Sequence, residues 1–283
     1  MTEETTFRAG RTPTVLLTND DGIESPGLRT LYDGLSEIAD VTVVAPTVEH
    51  SGIGRVLSFG RPVPLRTGDE SDEIEWKSSG LTHEVPYHEH ELGYAVEGTP
   101  CDCVIAGITA LDIEPDIVIS GCNPGPNIGV SAFGRSGTIS AVVEGASLGV
   151  SGIAVSSKSL EPGKDAYGHA RQCTARLVEG AITYDILDEV DYLNVTVPSE
   201  QYRGVRLTQP AEDDGFTATN DSSRNTFRFS HSKHRTRTIA KASVSGLPTD
   251  RGTIKDDLVS VTPLSLPYTP VASEPLSDFV NGL

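Results

Sequence analysis

Asp20 and Asp21 stand side by side at the end of the apolar run in VLLTNDDGIESPG. Adjacent like charges repel, and a carboxylate at the end of a buried strand loses hydration. A divalent cation between them turns that repulsion into shared attraction. Further oxygen donors follow two later apolar runs: Ser51 in His50-Ser51-Gly52, and Asn123 and Asn127 in SGCNPGPNIG. Such donors suit Mg²⁺ or Mn²⁺ better than zinc, which prefers sulfur and nitrogen, and they leave the choice between the two asparagines open. Ser136-Gly137-Thr138 opens a helical pattern, where free N–H groups, a partial positive charge and hydroxyls suit a phosphate. A cation site and an anion cradle together point to phosphoester hydrolysis. Each piece also has a plainer role: NDDG as a turn, Ser136 as a helix cap, NPGPNIG as a rigid loop.

What must bring these residues together is a set of alternating elements. TVLLT (14–18) reads as a buried strand, 26–38 as a helix capped by Ser25 with Pro26 in its first turn, and VTVVAP (41–46) as the next strand. That βαβ unit implies a right-handed crossover. Residues 47–100 read as irregular, with a polar insertion around 69–92. A helix near CDCVIAGITAL, a strand at 115–121, a helix at 136–150, a strand at 152–157, a helix near 165–182 and a strand at 192–198 follow. Apolar strands alternating with helices predict a Rossmann-like α/β fold, its mostly parallel sheet covered on both faces. Ligands bind such sheets outside the carboxyl ends of the strands, where all three polar loops fall. Residues 1–13 are expected as a flexible N-terminus and 14–283 as one domain.

Composition narrows the partners. Of 283 residues, 37% are apolar and none lie in an uninterrupted apolar run of membrane-spanning length. The opening residues lack the apolar centre of a signal peptide, so a cytoplasmic protein is expected. Forty acidic against 22 basic residues give a formal charge of -18, which disfavours nucleic acid polymers and anionic membranes. Only six of the basic residues are lysines, a balance expected of a salt-adapted surface whose self-repulsion is screened by salt. Cys101, Cys103, Cys122 and Cys173 match neither a zinc knuckle nor a disulfide framework and read as small buried thiols.

The motifs LLTNDDGIESPGL, VVAP followed by HSG, EGTPCDCV, PDIVISGCNPGPNIG, SGTISAVVEGASLG and the late LVSVTPL resemble, in order, those of the SurE survival-protein family. The resemblance implies a metal-dependent 5′/3′-nucleotidase acting on nucleoside monophosphates, with one divalent cation per subunit. It implies metal binding by Asp20, Asp21, Ser51 and Asn123, phosphate contacts from Asn127, Ser136, Gly137 and Thr138, and catalytic roles for Asp20, Asp21 and Asn127. It also implies a projecting hairpin and a C-terminal segment, about 204–283, serving a homodimer or homotetramer. Three departures stand out: Arg135 replaces a tyrosine before the Ser-Gly-Thr turn, Cys122 replaces an aliphatic residue, and His50 precedes Ser51.

Two rivals follow from the residues themselves. Aspartyl-phosphate phosphatases place a nucleophilic aspartate where this chain has Asn19, a poor nucleophile, so water activated on the metal is the simpler route. Asp20 is a candidate for moving the proton. A non-catalytic nucleotide sensor is the other class, with the acid-free tract RNTFRFSHSKHRTRTIAK (224–241) as its contact surface. The Thr/Arg and Phe/Arg alternation of that tract fits a hairpin better. HEVPYHEHE (83–91) reads as an exposed polar loop, and His50 as a solvated loop histidine.

Overall fold

The computed structural model describes residues 11–58, 84–111, 113–161, 164–184, 186–212, 216–231 and 246–266. Most of the expected flexible N-terminus, the 69–83 part of the insertion, the 232–241 part of the basic tract and the last 17 residues lie outside them.

The chain begins β1 (Thr14–Thr18), α1 (Pro26–Leu35) and β2 (Asp40–Pro46), then β3 (Tyr87–His90), β4 (Gly93–Val96) and α2 (Pro100–Thr109). Next come β5 (Ile117–Asn123), α3 (Val130–Phe133), α4 (Gly137–Ser147), β6 (Gly152–Ser157), α5 (Lys164–Tyr184) and β7 (Tyr192–Val197). The last elements are β8 (Val205–Leu207), β9 (Phe216–Asp221), β10 (Thr226–His231), α6 (Asp250–Lys255) and β11 (Val259–Leu264). One sheet runs β3-β4-β2-β1-β5-β6-β7-β11-β8, parallel except that β3 opposes β4 and β11 opposes β7. The hairpin β9–β10 stands apart as its own two-stranded sheet.

The expected α/β architecture is therefore present, and its cause is visible in β1. Val15 and Leu17 face one cluster with Leu28, Leu31 and Ala170, while Leu16 faces the other with Val104 and Ile139. Full burial on both faces is what a parallel strand needs, each such leucine stabilising the fold by about 1.5–3 kcal/mol. α1 and α5 cover the first face, α2 and α4 the second. α1 starts where Ser25 accepts from Leu28 N–H and Pro26 supplies a preset φ.

The structure differs from the sequence reading in one stretch, for a physical reason, and from the usual crossover in one connection on which the sequence was silent. The stretch read as an irregular polar loop contains β3 and β4; β3 is an edge strand with Tyr87, His88 and Glu89 exposed, so apolar alternation is absent. The second difference concerns handedness. β5–α4–β6 and β6–α5–β7 step the same way across the sheet, yet α4 and α5 lie on opposite faces, so the two crossovers have opposite hands. Leu160 and Glu161, which follow β6, and Tyr167 of α5 line one cleft with Asp21.

Candidate functional site

Sheet order reverses beside β1, because the chain first steps from β1 to β2 and later returns to build β5, β6 and β7 on the other side. The loops that leave β1, β2 and β5 emerge beside one another at this edge, and Asp21, Glu49 and Pro124 from the three of them line one cleft. Asp20 and Asp21 follow β1, Glu49 and Ser51 follow β2, and Asn123 ends β5. A register shift between β5 and β6 at Ser120–Asn123 re-aims the end of that strand.

Asp20 is 3% exposed, and its Oδ1 accepts the Thr138 hydroxyl at 2.6 Å. Burial raises its pKa above the ordinary carboxylate value, opposed by that hydrogen bond. Asp21 is pushed up to about 7, first by burial and then by the charges of Asp20 and Glu49. The loop after β2 is fixed over the pair by His50 N–H donating to the Asp20 carbonyl at 2.7 Å and by Gly54 N–H donating to the Arg135 carbonyl at 2.9 Å. A partly buried ion pair adds to this, Arg55 Nε donating to Glu144 Oε2 at 2.6 Å. Ser51 is exposed and donates its hydroxyl to Glu49 Oε1 at 2.6 Å.

The start of α4 abuts Asp20 so closely that a Cβ on Gly137 would lie 2.7 Å from the Asp20 Cβ, which only glycine avoids. Ser136 caps α4, accepting from Ile139 N–H at 3.1 Å. Asn127 Nδ2 donates to Ser156 Oγ at 3.0 Å and to Thr138 Oγ1 at 3.3 Å. Asn127, Thr138 and Asp20 thus form one hydrogen-bonded run. Asn123 Nδ2 donates to the Gly125 carbonyl at 2.7 Å, leaving Oδ1 as the atom for a cation.

The donor set suits a hard cation. Asp21 Oδ2 is buried with no hydrogen-bond partner among the described residues, and a buried carboxylate oxygen needs a proton, a donor or a metal. An open cleft of about 510 Å³ lies against it, lined by Asp21, Glu24, Glu49, Pro124, Leu160 and Tyr167. Glu49 is the residue that reading the sequence missed: one acid in a loop has no pattern, and only the fold sets it against the aspartates.

The structure also locates the remaining candidates. Arg135 is exposed and donates to the Ser131 carbonyl at 3.0 Å. All four cysteines are free and buried, and burial raises the Cys122 thiol far above its usual range. Among the described residues no cluster of three or more histidines, cysteines or carboxylates is arranged to hold a metal, His88 and His90 included. No described helix is long and apolar enough to cross a membrane.

Fold and site define a doubly wound α/β protein with an oxygen-rich site at the switch point of its sheet. The family model described as survival protein SurE matches residues 15–217. The 5′-nucleotidase SurE of Natronomonas pharaonis is 40% identical over 276 residues, covering 93% of this chain and 96% of that protein. The protein of the same name from Haloarcula marismortui is 38% identical, covering 91% and 90%. The crystal structure of the SurE protein from Aquifex aeolicus superposes with a TM-score of 0.73 at 27% identity, covering 95% of this chain and all of that one. The chain belongs to the SurE family.

Proposed function

We propose that this protein is a divalent-metal-dependent phosphomonoesterase that hydrolyses nucleoside 5′- and 3′-monophosphates to nucleoside and phosphate. The observation that carries the reading is the hydrogen-bonded run Asn127–Thr138–Asp20, which ties the start of α4 to the acidic pair at the sheet's switch point. Membership of a family whose relatives are named 5′-nucleotidases supports the substrate class.

Asp20, Asp21, Ser51 and Asn123 would hold one Mg²⁺ or Mn²⁺ per subunit. When bound, such an ion lowers the pKa of water and neutralises charge on a phosphate. The chain's own work is placement. The N–H groups at the start of α4 face the negative end of the substrate, with Ser136, Gly137 and Thr138 forming the cradle. Asn127 Nδ2 sits on the Thr138 side of that cradle, its two N–H groups engaged by Ser156 and Thr138, and would give up one of these bonds to meet a phosphate. The Thr138 hydroxyl keeps the Asp20 carboxylate oriented. Leu160 and Tyr167 wall the cleft outside Asp21, where the nucleoside part extends.

The protein is further proposed to work as a homodimer or homotetramer in the cytoplasm, a reducing compartment that suits its four free thiols. No nucleic acid polymer or membrane enters the reading. Phosphate release from a panel of nucleoside monophosphates, with Mg²⁺, Mn²⁺ and Co²⁺ in turn, tests the activity. Nucleotide binding without release under every metal would make the protein a sensor instead.

A further inference from the structure

Asp250 is a wholly buried carboxylate at the start of α6. Its Oδ2 accepts Gly129 N–H at 2.8 Å, and its Oδ1 accepts Ala211 N–H at 2.8 Å and Arg251 N–H at 2.6 Å. A buried charge is costly unless donors meet it, and here three do. The helix does not require it as a cap, since Thr249 already accepts from Gly252 N–H.

What Asp250 grips is the segment that follows β5. Gly129 has φ 78°, a left-handed conformation that favours glycine, and its N–H is the one Asp250 takes. The neighbouring groups are held from equally distant parts of the chain. Val130 N–H donates to the Ala211 carbonyl at 3.0 Å, and Asn194 Nδ2 donates to the Asn127 carbonyl at 2.7 Å. Backbone groups of 127, 129 and 130 are therefore all fixed, and Asn127 lies at the head of the run to Thr138 and Asp20.

We propose that Asp250 is a positioning residue: from the C-terminal part of the chain it latches the 123–130 segment and so holds Asn127 against the Thr138–Asp20 pair. The catalytic readout of this role rests on the nucleotidase reading; the structural readout does not. Part of the region expected to serve assembly thereby becomes part of the site's support. A side chain displaced by about 1 Å can lose on the order of 100-fold in rate, so a latch remote from the chemistry has leverage on it.

Asp250→Asn tests the latch. The amide keeps its oxygen on Ala211 and Arg251 only by turning its NH₂ toward Gly129 N–H, donor against donor. Backbone exchange in peptides covering 123–131 should rise at least about tenfold, while peptides of β1 and α4 stay parent-like. With adenosine 5′-monophosphate and Mn²⁺, kcat/KM should fall about 10- to 100-fold, mostly in kcat. Combined with Asn127→Ala, Asp250→Asn should produce no further loss beyond Asn127→Ala alone. Parent-like exchange over 123–131, or losses that multiply in the double variant, overturns the proposal. If Asp250→Asn does not fold, Asp250→Glu keeps the charge, displaces the carboxylate, and must show the same coupling to Asn127 at smaller size. A parent that releases no phosphate sinks the nucleotidase reading, and the exchange measurement then decides the latch by itself.

Discussion

Thr138 donates its hydroxyl proton to Asp20 Oδ1 at 2.6 Å, joining the start of α4 to the end of β1 across 118 positions. A threonine hydroxyl has a single proton, so while this bond stands Thr138 offers a phosphate no hydroxyl donor. Thr138→Val keeps the shape and removes the bond. The ionised Asp20 then loses about 1.5–3 kcal/mol of support, and divalent metal affinity should fall roughly 10- to 100-fold. Calorimetric titration with Mn²⁺ checks this; parent-like affinity would mean that the bond does not support the ligand.

The acidic pair gives a pH dependence with a definite sign. Burial raises both aspartates, Asp21 to about 7, so the folded protein binds protons there more readily than the unfolded chain. The contribution of Asp21 to stability is fully present below the ordinary carboxylate value and is lost as pH rises through about 7, and Asp20 acts in the same direction. In chelator, the melting temperature should climb as pH falls from 8 toward 5. Mn²⁺ requires the ionised forms, so its stabilising effect should grow with pH over the same window. Asp21→Asn should flatten the chelator profile and weaken metal binding; a profile as steep as the parent's would locate the titration elsewhere.

Much of this arrangement was legible in the sequence because it rests on local rules. Val15–Leu17 announced a strand buried on both faces, Ser25-Pro26 a helix start, and Ser136 a cap that is indeed present. β3 was not legible, since an edge strand of Tyr, His and Glu carries no apolar period. Nor was the Asp20–Thr138 bond, because spacing shows that two polar groups converge and not which accepts from which. Asp250 was one of 40 acidic residues, and its partners are backbone N–H groups that leave no mark on the sequence.

Exposed aromatics on the hairpin bear on assembly. Phe227 and Phe229 of β10 are 67% and 73% exposed, large apolar area on a hairpin that hydrogen-bonds to no other strand among the described residues. Replacing both with serine should lower the mass measured by light scattering toward the monomer, with the far-ultraviolet spectrum unchanged. An unaltered assembly would assign these side chains to another contact.

Salt should act on the whole molecule. With a formal charge of -18, self-repulsion is strongest in dilute buffer, where the screening length exceeds about 10 Å. Melting temperature and turnover should both rise from below 0.1 M to molar KCl, roughly the range over which screening falls to a few ångströms. Full activity and an unchanged melting temperature in dilute buffer would sink the salt adaptation.

Asp250 follows Gly129 by 121 residues, and that separation has a consequence during protein synthesis. At roughly 5–20 residues per second, the acidic pair, the proposed phosphate cradle and the segment after β5 leave the ribosome on the order of ten seconds before the proposed brace exists. The sheet's centre can form in that interval with every proposed ligand present and the 123–130 segment unlatched. A message cut short before codon 250 would therefore encode every proposed ligand while leaving the 123–130 segment its bonds to Asn194 and Ala211 without the one to Asp250. On the proposed latch, the full rate of turnover is conferred late, by a residue that touches no substrate.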